Sequence, residues 1–396
     1  MSALVLLAML VVPVEGQPFE GNLESITADG TTTFRLAAGE PALAGGQRTV
    51  APQSLVRWSH PKPLQPQPLV VLADGSRLVA AADWSGNAPL QFVGDSITVR
   101  SDSWSEARLD RSQVRGLVFA ERSHPSDRQR LEYTVRAASA KQDEALLANQ
   151  DRLAGTVKKL AAGTLTLATE AGDVELPLSR VEAVIFANER PTGDSLLRAC
   201  MIVGLRDGSL LYANSVEAND AGARLETTGG VKFTGGVRDD FVALQVLDGD
   251  FVYLSDLEPA NYRHVPYLEI AWPYERDRSL EGQPLRVGGK IYLKGLAMHS
   301  AARLTYRLDG TYRRFDADVA LDDSAGNRGS VTFAVYLLRD GKWQEAFKSG
   351  VVRGGEKPHR VSVDLTGAAA ITLTVDYADR GDELDHADWL DARLVK

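Results

Sequence analysis

The run DELDHADW, residues 382–389, places four carboxylates, a histidine and a tryptophan within eight residues. One chemistry open to such a cluster is glycoside hydrolysis, which needs two carboxylates about 5 to 10 Å apart around the bond that breaks. Asp385 and Asp388 would repel each other if both were buried without a neutralising partner. The pattern therefore favours a cation site, a sugar-binding site or an ordered loop over a catalytic pair.

Acidic turns near this run could supply oxygen ligands for calcium, which binds six to eight carboxylate and carbonyl oxygens. The sequence contains no dense Asp-x-Asp-x-Asp-Gly loop. Hydrogen bonding of the aspartates to loop amides is the favoured interpretation, and a structural calcium ion is the functional alternative. The candidate calcium ligands are Asp322, Asp323, Asp385 and Asp388.

The phase of the last strand predicts which side chains could contact a sugar. If 387–394 is a regular strand, the face that carries Leu390 and Leu394 should point to the core. Trp389, Asp391 and Arg393 then lie on the opposite face, where an aromatic plane beside polar groups could bind a sugar. A β-bulge would reverse this phase and bury the tryptophan.

Two histidines accompany these residues, His299 in GLAMHS and His386 in DHADW. Two are too few for a zinc site without a third donor. We expect them either to order the loops around them or to contact a sugar. The weaker aromatic candidates are Trp272, Tyr274, Tyr292, Trp343 and Tyr377.

The elements that must position these residues are predicted to be mainly β-strands. Short runs rich in Val, Leu and Thr are separated by Gly, Asp, Asn and Pro, as in hairpin-connected strands. Only 138–150 (ASAKQDEALLANQ) has a convincing helical pattern. Clean alternation in SVTFAVYLL, RVSVDLTG and AITLTVDYA indicates half-buried antiparallel strands, and thus a C-terminal β-sandwich.

A weak repeat runs through the first 260 residues. Segments 69–119 and 151–187 share a closing pattern that ends at Phe119 and Phe186, with further copies near 20–58 and 203–241. Each copy resembles a small SH3-like or Sm-like barrel of about five strands, and a single irregular β-domain is the alternative. The predicted boundaries are 1–16 for a signal peptide, 17–60, 61–135, 136–192 (short helix plus β-unit) and 193–254 for the β-units, and 255–396 for the sandwich.

Four spaced motifs in the last third resemble one known family. They are GQPLRVGGKIYLKGLAMHS (282–300), LTYRLDGTYRRFDADVALDD (304–323), GSVTFAV (329–335) and DHADWLDARL (385–394). In this order they are similar to the NPCBM/NEW2 family, also classed as carbohydrate-binding module family 51, over about 255–396. The resemblance implies a galactose-binding-like antiparallel β-sandwich (jelly roll) and, for some members, binding of galactose-type sugars.

Composition and charge limit the partners and the location. The net charge of −9 disfavours nucleic acid, and the single cysteine, Cys200, excludes a disulfide framework. The opening MSALVLLAMLVVPVEG has an apolar run of signal-peptide length that is too short to span a bilayer. We therefore expect an exported chain without a transmembrane anchor after cleavage, and a buried first strand is the alternative.

These observations predict an exported, multi-domain β-protein that binds a glycan or polysaccharide without catalysis. Other cell-surface proteins are further expected partners. One alternative is a structural or scaffolding protein whose sandwich does not bind sugar. A second is an enzyme associated with glycoside hydrolysis, with its catalytic domain within 20–250.

Overall fold

A computed structural model describes residues 9–37, 46–64, 66–81, 90–119, 125–187, 199–267 and 269–396. The chain divides into two compact units, 1–247 and 248–396. Both are built mainly from antiparallel β-strands, which confirms the predicted class. No helix among the described residues is long and apolar enough to cross a membrane.

The described part of the N-terminal unit forms four β-repeats, each with a 3₁₀ turn directly before its last strand. The first repeat contains β1 (Met9–Pro13), β2 (Phe19–Ile26), β3 (Thr32–Leu36), β4 (Gln47–Val50) and β5 (Leu55–Trp58). The second contains β6 (Leu69–Leu72), β7 (Arg77–Val79), β8 (Leu90–Val93), β9 (Ser96–Ser101), β10 (Ser105–Asp110) and β11 (Val114–Val118). The third contains β12 (Asp143–Leu147), β13 (Arg152–Ala161), β14 (Thr164–Thr169), β15 (Gly172–Pro177) and β16 (Val181–Ile185). The fourth contains β17 (Met201–Leu205), β18 (Leu210–Asn219), β19 (Gly222–Thr227), β20 (Lys232–Gly236) and β21 (Phe241–Val246).

The repeats share one strand order. In each repeat the first strand pairs antiparallel with both the second and the last strand. The last strands also join repeats in pairs, because β5 pairs with β21 and β11 with β16. Matching Asp-Gly-Ser turns link the second and fourth repeats. The amide of Val79 donates a hydrogen bond to Ser209 Oγ, and the amide of Tyr212 donates one to Ser76 Oγ, each at 2.9 Å.

The helix predicted over 138–150 is wrong. The helix of this region is α1 (Pro125–Ala137), and Asp143–Leu147 form β12, which pairs with β13 and β16. Ala145, Leu146 and Leu147 are all buried in that sheet. Pairing on both sides of the strand overrides the helical propensity of this sequence.

The opening apolar segment contributes a strand to the fold. Residues 9–13 form β1, which pairs with β2 and β5 and buries Val11 completely, as the alternative of a buried first strand expects. Residues 1–8 of the predicted signal peptide lie outside the described residues.

The C-terminal unit is a β-sandwich of two antiparallel sheets. One sheet has the order β24 (Glu275–Arg276), β27 (Gly295–Met298), β35 (Ala387–Val395), β29 (Arg314–Leu321) and β33 (His359–Asp364), with β22 (Phe251–Tyr253) also on β35. The other has the order β23 (Asn261–His264), β28 (Ala302–Arg307), β34 (Ala370–Tyr377), β30 (Ser330–Arg339) and β31 (Lys342–Lys348), with β32 (Val352–Arg353) beside β30. A separate hairpin joins β25 (Leu285–Val287) and β26 (Lys290–Tyr292).

A β-bulge in β35 sets which of its residues face the core. Asp316 of β29 lies opposite Arg393, whereas Asp318, two residues later, lies opposite Leu390, so β35 carries one extra residue. Asp391, within this stretch, has a positive φ of 48°. The side-chain phase changes across the bulge, as expected for an inserted residue. Trp389 therefore faces the core between the two sheets and Leu390 packs in a different cluster.

Candidate functional site

Four aromatic rings from separate segments meet at one end of the sandwich. His264 ends β23, Trp272 follows eight residues later, His299 directly follows β27, and His386 directly precedes β35. Trp272 stacks on His299 with ring centroids 4.9 Å apart and planes 4° apart, and its centroid lies 5.9 Å from that of His386. The His299 ring lies 5.8 Å from His264 and 6.2 Å from His386. We call these four residues the aromatic cluster.

Backbone hydrogen bonds hold Trp272 in place independently of its ring. Its amide donates to Nδ1 of His264 at 3.1 Å, and its carbonyl accepts the hydroxyl of Tyr262 at 2.8 Å. The residue is half-buried, so part of it stays open to solvent. The tryptophan ring is therefore pre-positioned at the surface.

Hydroxyl groups of neighbouring turns contact the two buried histidines. The Ser324 hydroxyl lies 2.9 Å from Nδ1 of His386, and the Ser300 hydroxyl lies 3.5 Å from Nδ1 of His299. The carbonyl of His386 also accepts the amide of Asp322 at 2.9 Å. These bonds fix the imidazoles that form the base of the cluster.

Burial favours the neutral form of all three imidazoles. Burial, followed by the proximity of His386 and His264, lowers the pKa of His299 to about 4. Burial also lowers the pKa of His264 and of His386 below the ordinary value for histidine. A neutral imidazole has one donor and one acceptor nitrogen, and Nδ1 of each of these rings already has a partner within the protein.

Asp385 directly precedes His386 of the cluster and is fully buried. Its Oδ1 accepts the amide of Ser330 at 2.9 Å. Burial raises its pKa to about 6, although hydrogen bonds from Ser330 and Ser300 favour the charged form. Asp385 therefore anchors the loop that carries His386 rather than facing solvent.

We expect His299 and Asp385 to give the free energy of unfolding opposite dependences on pH. The pKa of His299 falls from 6.5 to about 4 on folding, so the unfolded chain binds the extra proton and stability is lost as the pH falls through this window. The pKa of Asp385 rises from 3.8 to about 6, so the folded chain binds the extra proton and stability is lost as the pH rises through that window.

The variants His299→Gln and Asp385→Asn separate these two contributions. Between pH 4 and 6, acidification should stabilise His299→Gln relative to the unsubstituted chain and destabilise Asp385→Asn. Urea unfolding at several pH values, followed by hydrogen exchange in peptides from 248–396, measures both slopes. Identical slopes in all three proteins would show that neither group titrates as described.

The predicted sugar contact by Trp389 is wrong, because the β35 bulge turns this ring inward. Its exposed fraction is 0%, and it packs edge-on against Phe333 at 5.2 Å between ring centroids. Asp391 and Arg393 are also buried, and Arg393 donates to the carbonyl of Asp391 at 3.0 Å. These three side chains stabilise the sandwich and offer no surface to a sugar.

Three of the four predicted calcium ligands, Asp322, Asp323 and Asp385, accept hydrogen bonds from backbone amides, which is the interpretation favoured by the sequence. Within the described residues, no three His, Cys, Asp or Glu side chains are grouped in a way that could hold a metal ion. Asp322 accepts the amides of Arg286 and Ser324 at 2.9 Å, and Asp323 accepts two amides of the β25–β26 turn at 2.8 Å. Burial, together with the adjacent Asp322, raises the pKa of Asp388 well above its usual range.

The structure brings together the predicted pair His299 and His386, but it adds partners that the sequence motifs do not name. Trp272 was one of several weak aromatic candidates, and His264 was not a candidate. The signal that could have identified His264 is its position at the end of a strand that pairs beside the GLAMHS segment. Strand pairing between β23 and β28 joins the two segments.

Comparison with known proteins identifies the C-terminal unit. Residues 250–395 match the NPCBM/NEW2 domain. The C-terminal unit is an NPCBM/NEW2 domain. This agrees with the resemblance carried by the four sequence motifs, and the family is one of carbohydrate-binding modules.

The matches to known proteins cover only part of this chain, and the chain spans a small share of the curated relatives' own length. A Renibacterium salmoninarum protein that carries the name endo-alpha-N-acetylgalactosaminidase is 30% identical over 129 residues, which are 31% of this chain and 8% of that protein. The alpha-1,3-galactosidase B of Akkermansia muciniphila is 30% identical over 119 residues, 29% of this chain and 14% of that protein. The structure of a CBM51 module from Clostridium perfringens GH95 in complex with methyl-galactose is 27% identical and covers 36% of this chain and 99% of that module, with a TM-score of 0.32.

Proposed function

We propose that this protein binds a glycan, without catalysis, at the aromatic cluster of its NPCBM/NEW2 domain. The observation that carries the proposal is the half-buried Trp272, stacked on His299 and flanked by two more neutral imidazoles. Sugars are bound by aromatic rings that contact their C–H faces and by polar groups that pair with their hydroxyls. Trp272 supplies the aromatic face, and the half-buried His264 and Asp382 supply polar groups near it, while the buried His299 and His386 hold the ring from below.

The charges around the cluster favour a ligand without negative charge. The carboxylate of Asp382 acts electrostatically on His264 and His299, and that of Glu281 acts on His386. Asp382 is half-buried and Glu281 is exposed. An anionic sugar would be repelled by these carboxylates, whereas the hydroxyl of a neutral sugar can donate a hydrogen bond to either of them.

A binding role fits the acidic residues better than hydrolysis does. The motif suggested Asp385 and Asp388 as an acid pair, but both side chains have exposed fractions of 0%. A glycosidase needs two carboxylates that reach the glycosidic bond from opposite sides. The matched segment spans 8% and 14% of the two hydrolase relatives, so their names guide only the choice of galactose-type sugars as probes.

Export is part of the proposal, because extracellular polysaccharides and surface glycans are the ligands that such a domain would meet. The apolar opening of the sequence motivates it. Since residues 9–13 form β1, any processing that preserves the first repeat must leave this strand in place.

Titration calorimetry with methyl α-galactoside tests the binding site directly. Trp272→Ala removes the ring while its backbone hydrogen bonds can persist, so we expect a folded protein that binds about tenfold more weakly or worse, as for a central aromatic contact. Trp343→Ala is the matched control, because Trp343 is 49% exposed on β31 and is not part of the cluster. Equal affinity of Trp272→Ala and the unsubstituted chain would place binding elsewhere.

A further inference from the structure

Two tyrosines form an exposed aromatic pair at the same end of the sandwich. Tyr267 is 62% exposed and Tyr377 is 45% exposed. Their rings meet edge to face, with centroids 6.1 Å apart and planes at 80°. Exposed large aromatics that contact each other at a surface are costly to leave in water, and they are typical of binding sites.

Strand pairing places this pair next to the aromatic cluster. His264, Ala302 and Val375 lie in one row across β23, β28 and β34, which spans about 10 Å at the usual strand spacing. Tyr267 lies three residues beyond His264, and Tyr377 lies two beyond Val375. Both β23 and β34 run antiparallel to β28, so the two tyrosines lie beyond the first residue of β28. His299 lies in the segment that leads into β28, three residues before Ala302.

Hydrogen bonds fix the segments that carry both tyrosines. The amide of Val265 donates to the carbonyl of Ala301 at 2.9 Å, just after His299 and Ser300. The amide of Ala378 donates to the carbonyl of Ser330 at 2.9 Å, and the amide of Ser330 in turn donates to Asp385. The pair and the cluster are thus joined through the same loops.

We propose that Tyr267 and Tyr377 form a second subsite, which binds the sugar next to the one held at the aromatic cluster. The inference rests on the proposed function and deepens it, because it assigns an oligosaccharide rather than a single sugar as the ligand. The ion pair of Arg353 with Asp379, with N–O distances of 2.9 and 2.8 Å, lies two residues from Tyr377 and adds polar groups for hydroxyls.

A sugar is a better occupant for this surface than a protein partner. The tyrosines present two rings with hydroxyl groups, which suit one pyranose, whereas a stable protein interface needs roughly 800 Å² on each side. A sugar at the tyrosine pair would also be covalently linked to the sugar that the aromatic cluster binds, because both belong to one oligosaccharide. The chain-length dependence of affinity is the property that distinguishes this arrangement.

Titration calorimetry of the full chain with methyl α-galactoside and with galactosyl-α1,3-galactose tests the subsite. The unsubstituted protein should bind the disaccharide about three- to tenfold more tightly than the monosaccharide, the usual range for one aromatic contact. Tyr267→Ala and Tyr377→Ala should each reduce this preference and leave monosaccharide affinity unchanged. Trp343→Ala, which removes an exposed aromatic on β31, should retain the preference.

The outcomes separate the two proposals. Equal affinities for the two sugars in the unsubstituted protein would overturn the subsite and leave the proposed function intact. A tyrosine variant that weakens both sugars alike would also overturn it, since the effect would then come from the cluster. No binding of either sugar by the unsubstituted protein would overturn the proposed function and the subsite together.

Discussion

Trp389→Ala should destabilise the C-terminal unit by about 3–5 kcal/mol, the cost of removing a fully buried tryptophan. The ring lies between the two sheets, against Phe315 and Phe333. Its removal leaves a large cavity that the surrounding strands can close only in part. Urea unfolding of the full chain, read by hydrogen exchange in peptides from 248–396, measures the loss without assuming that both units unfold together.

Two substitutions serve as controls for this prediction. Trp389→Phe keeps a ring and removes an indole N–H that has no hydrogen-bond partner among the described residues, so it should cost only about 1 kcal/mol. Trp343→Ala, at a half-exposed position, should stay within about 0.5 kcal/mol. An unchanged stability of Trp389→Ala would mean that the ring lies outside the core.

Lys294→Met should destabilise the same unit by about 3 kcal/mol. The buried Nζ donates to Asp256 Oδ1 at 2.5 Å and to Asp277 Oδ2 at 2.6 Å, and it lies 5.3 Å from the centre of the Tyr253 ring. Removing the ammonium leaves two neighbouring carboxylates without their shared cation. The expected cost is at the lower end of the range for buried pairs, because water reaches both carboxylates in part.

The triple variant Lys294→Met, Asp256→Asn, Asp277→Asn distinguishes charge from packing. Without the two negative charges, the methionine should recover most of the lost stability, as uncharged replacements of buried ion pairs often do. The urea midpoint of each variant gives the comparison. If the triple variant is as unstable as Lys294→Met alone, the loss comes from packing of the lysine chain and the electrostatic explanation is wrong.

The β-class could be predicted from the sequence because it depends on local patterns. Alternation and Asp-Gly turns act within a few residues, and these turns recur where the structure has hairpins, at 74 and 207. The helix prediction for 138–150 was wrong because it, too, used only a local pattern. Its helical pattern is local, but the buried Ala145–Leu147 stretch is decided by pairing with strands from elsewhere in the chain.

The orientation of Trp389 could not be predicted, because one inserted residue reverses a strand's phase. The sequence DWLDARL gives no sign of which residue bulges, and Asp391 takes a backbone conformation that aspartate adopts only occasionally. Leu394 faces the core as predicted, because the bulge shifts the alternation of side chains between Trp389 and Leu394 by one residue. The prediction therefore failed on one side of Asp391 and succeeded on the other.

Only part of the candidate site, the aromatic cluster, could be anticipated from the sequence. His299 and His386 lie in motifs that the sequence singles out, and strand pairing of β27 with β35 brings their segments together. Trp272 and His264 come from a segment without a motif, so their role depends on the hydrogen bond between them and on the stack with His299. Such contacts between distant segments are a property of the folded sandwich.

A glycan array probed with the full chain tests whether the aromatic cluster binds a glycan. The full chain should bind neutral galactose- or N-acetylgalactosamine-containing glycans, bind sialylated or sulfated forms of them more weakly, and lose binding in Trp272→Ala but not in Trp343→Ala. Absence of binding to every glycan on the array, or binding that Trp272→Ala leaves unchanged, would show that the aromatic cluster is not a glycan-binding site.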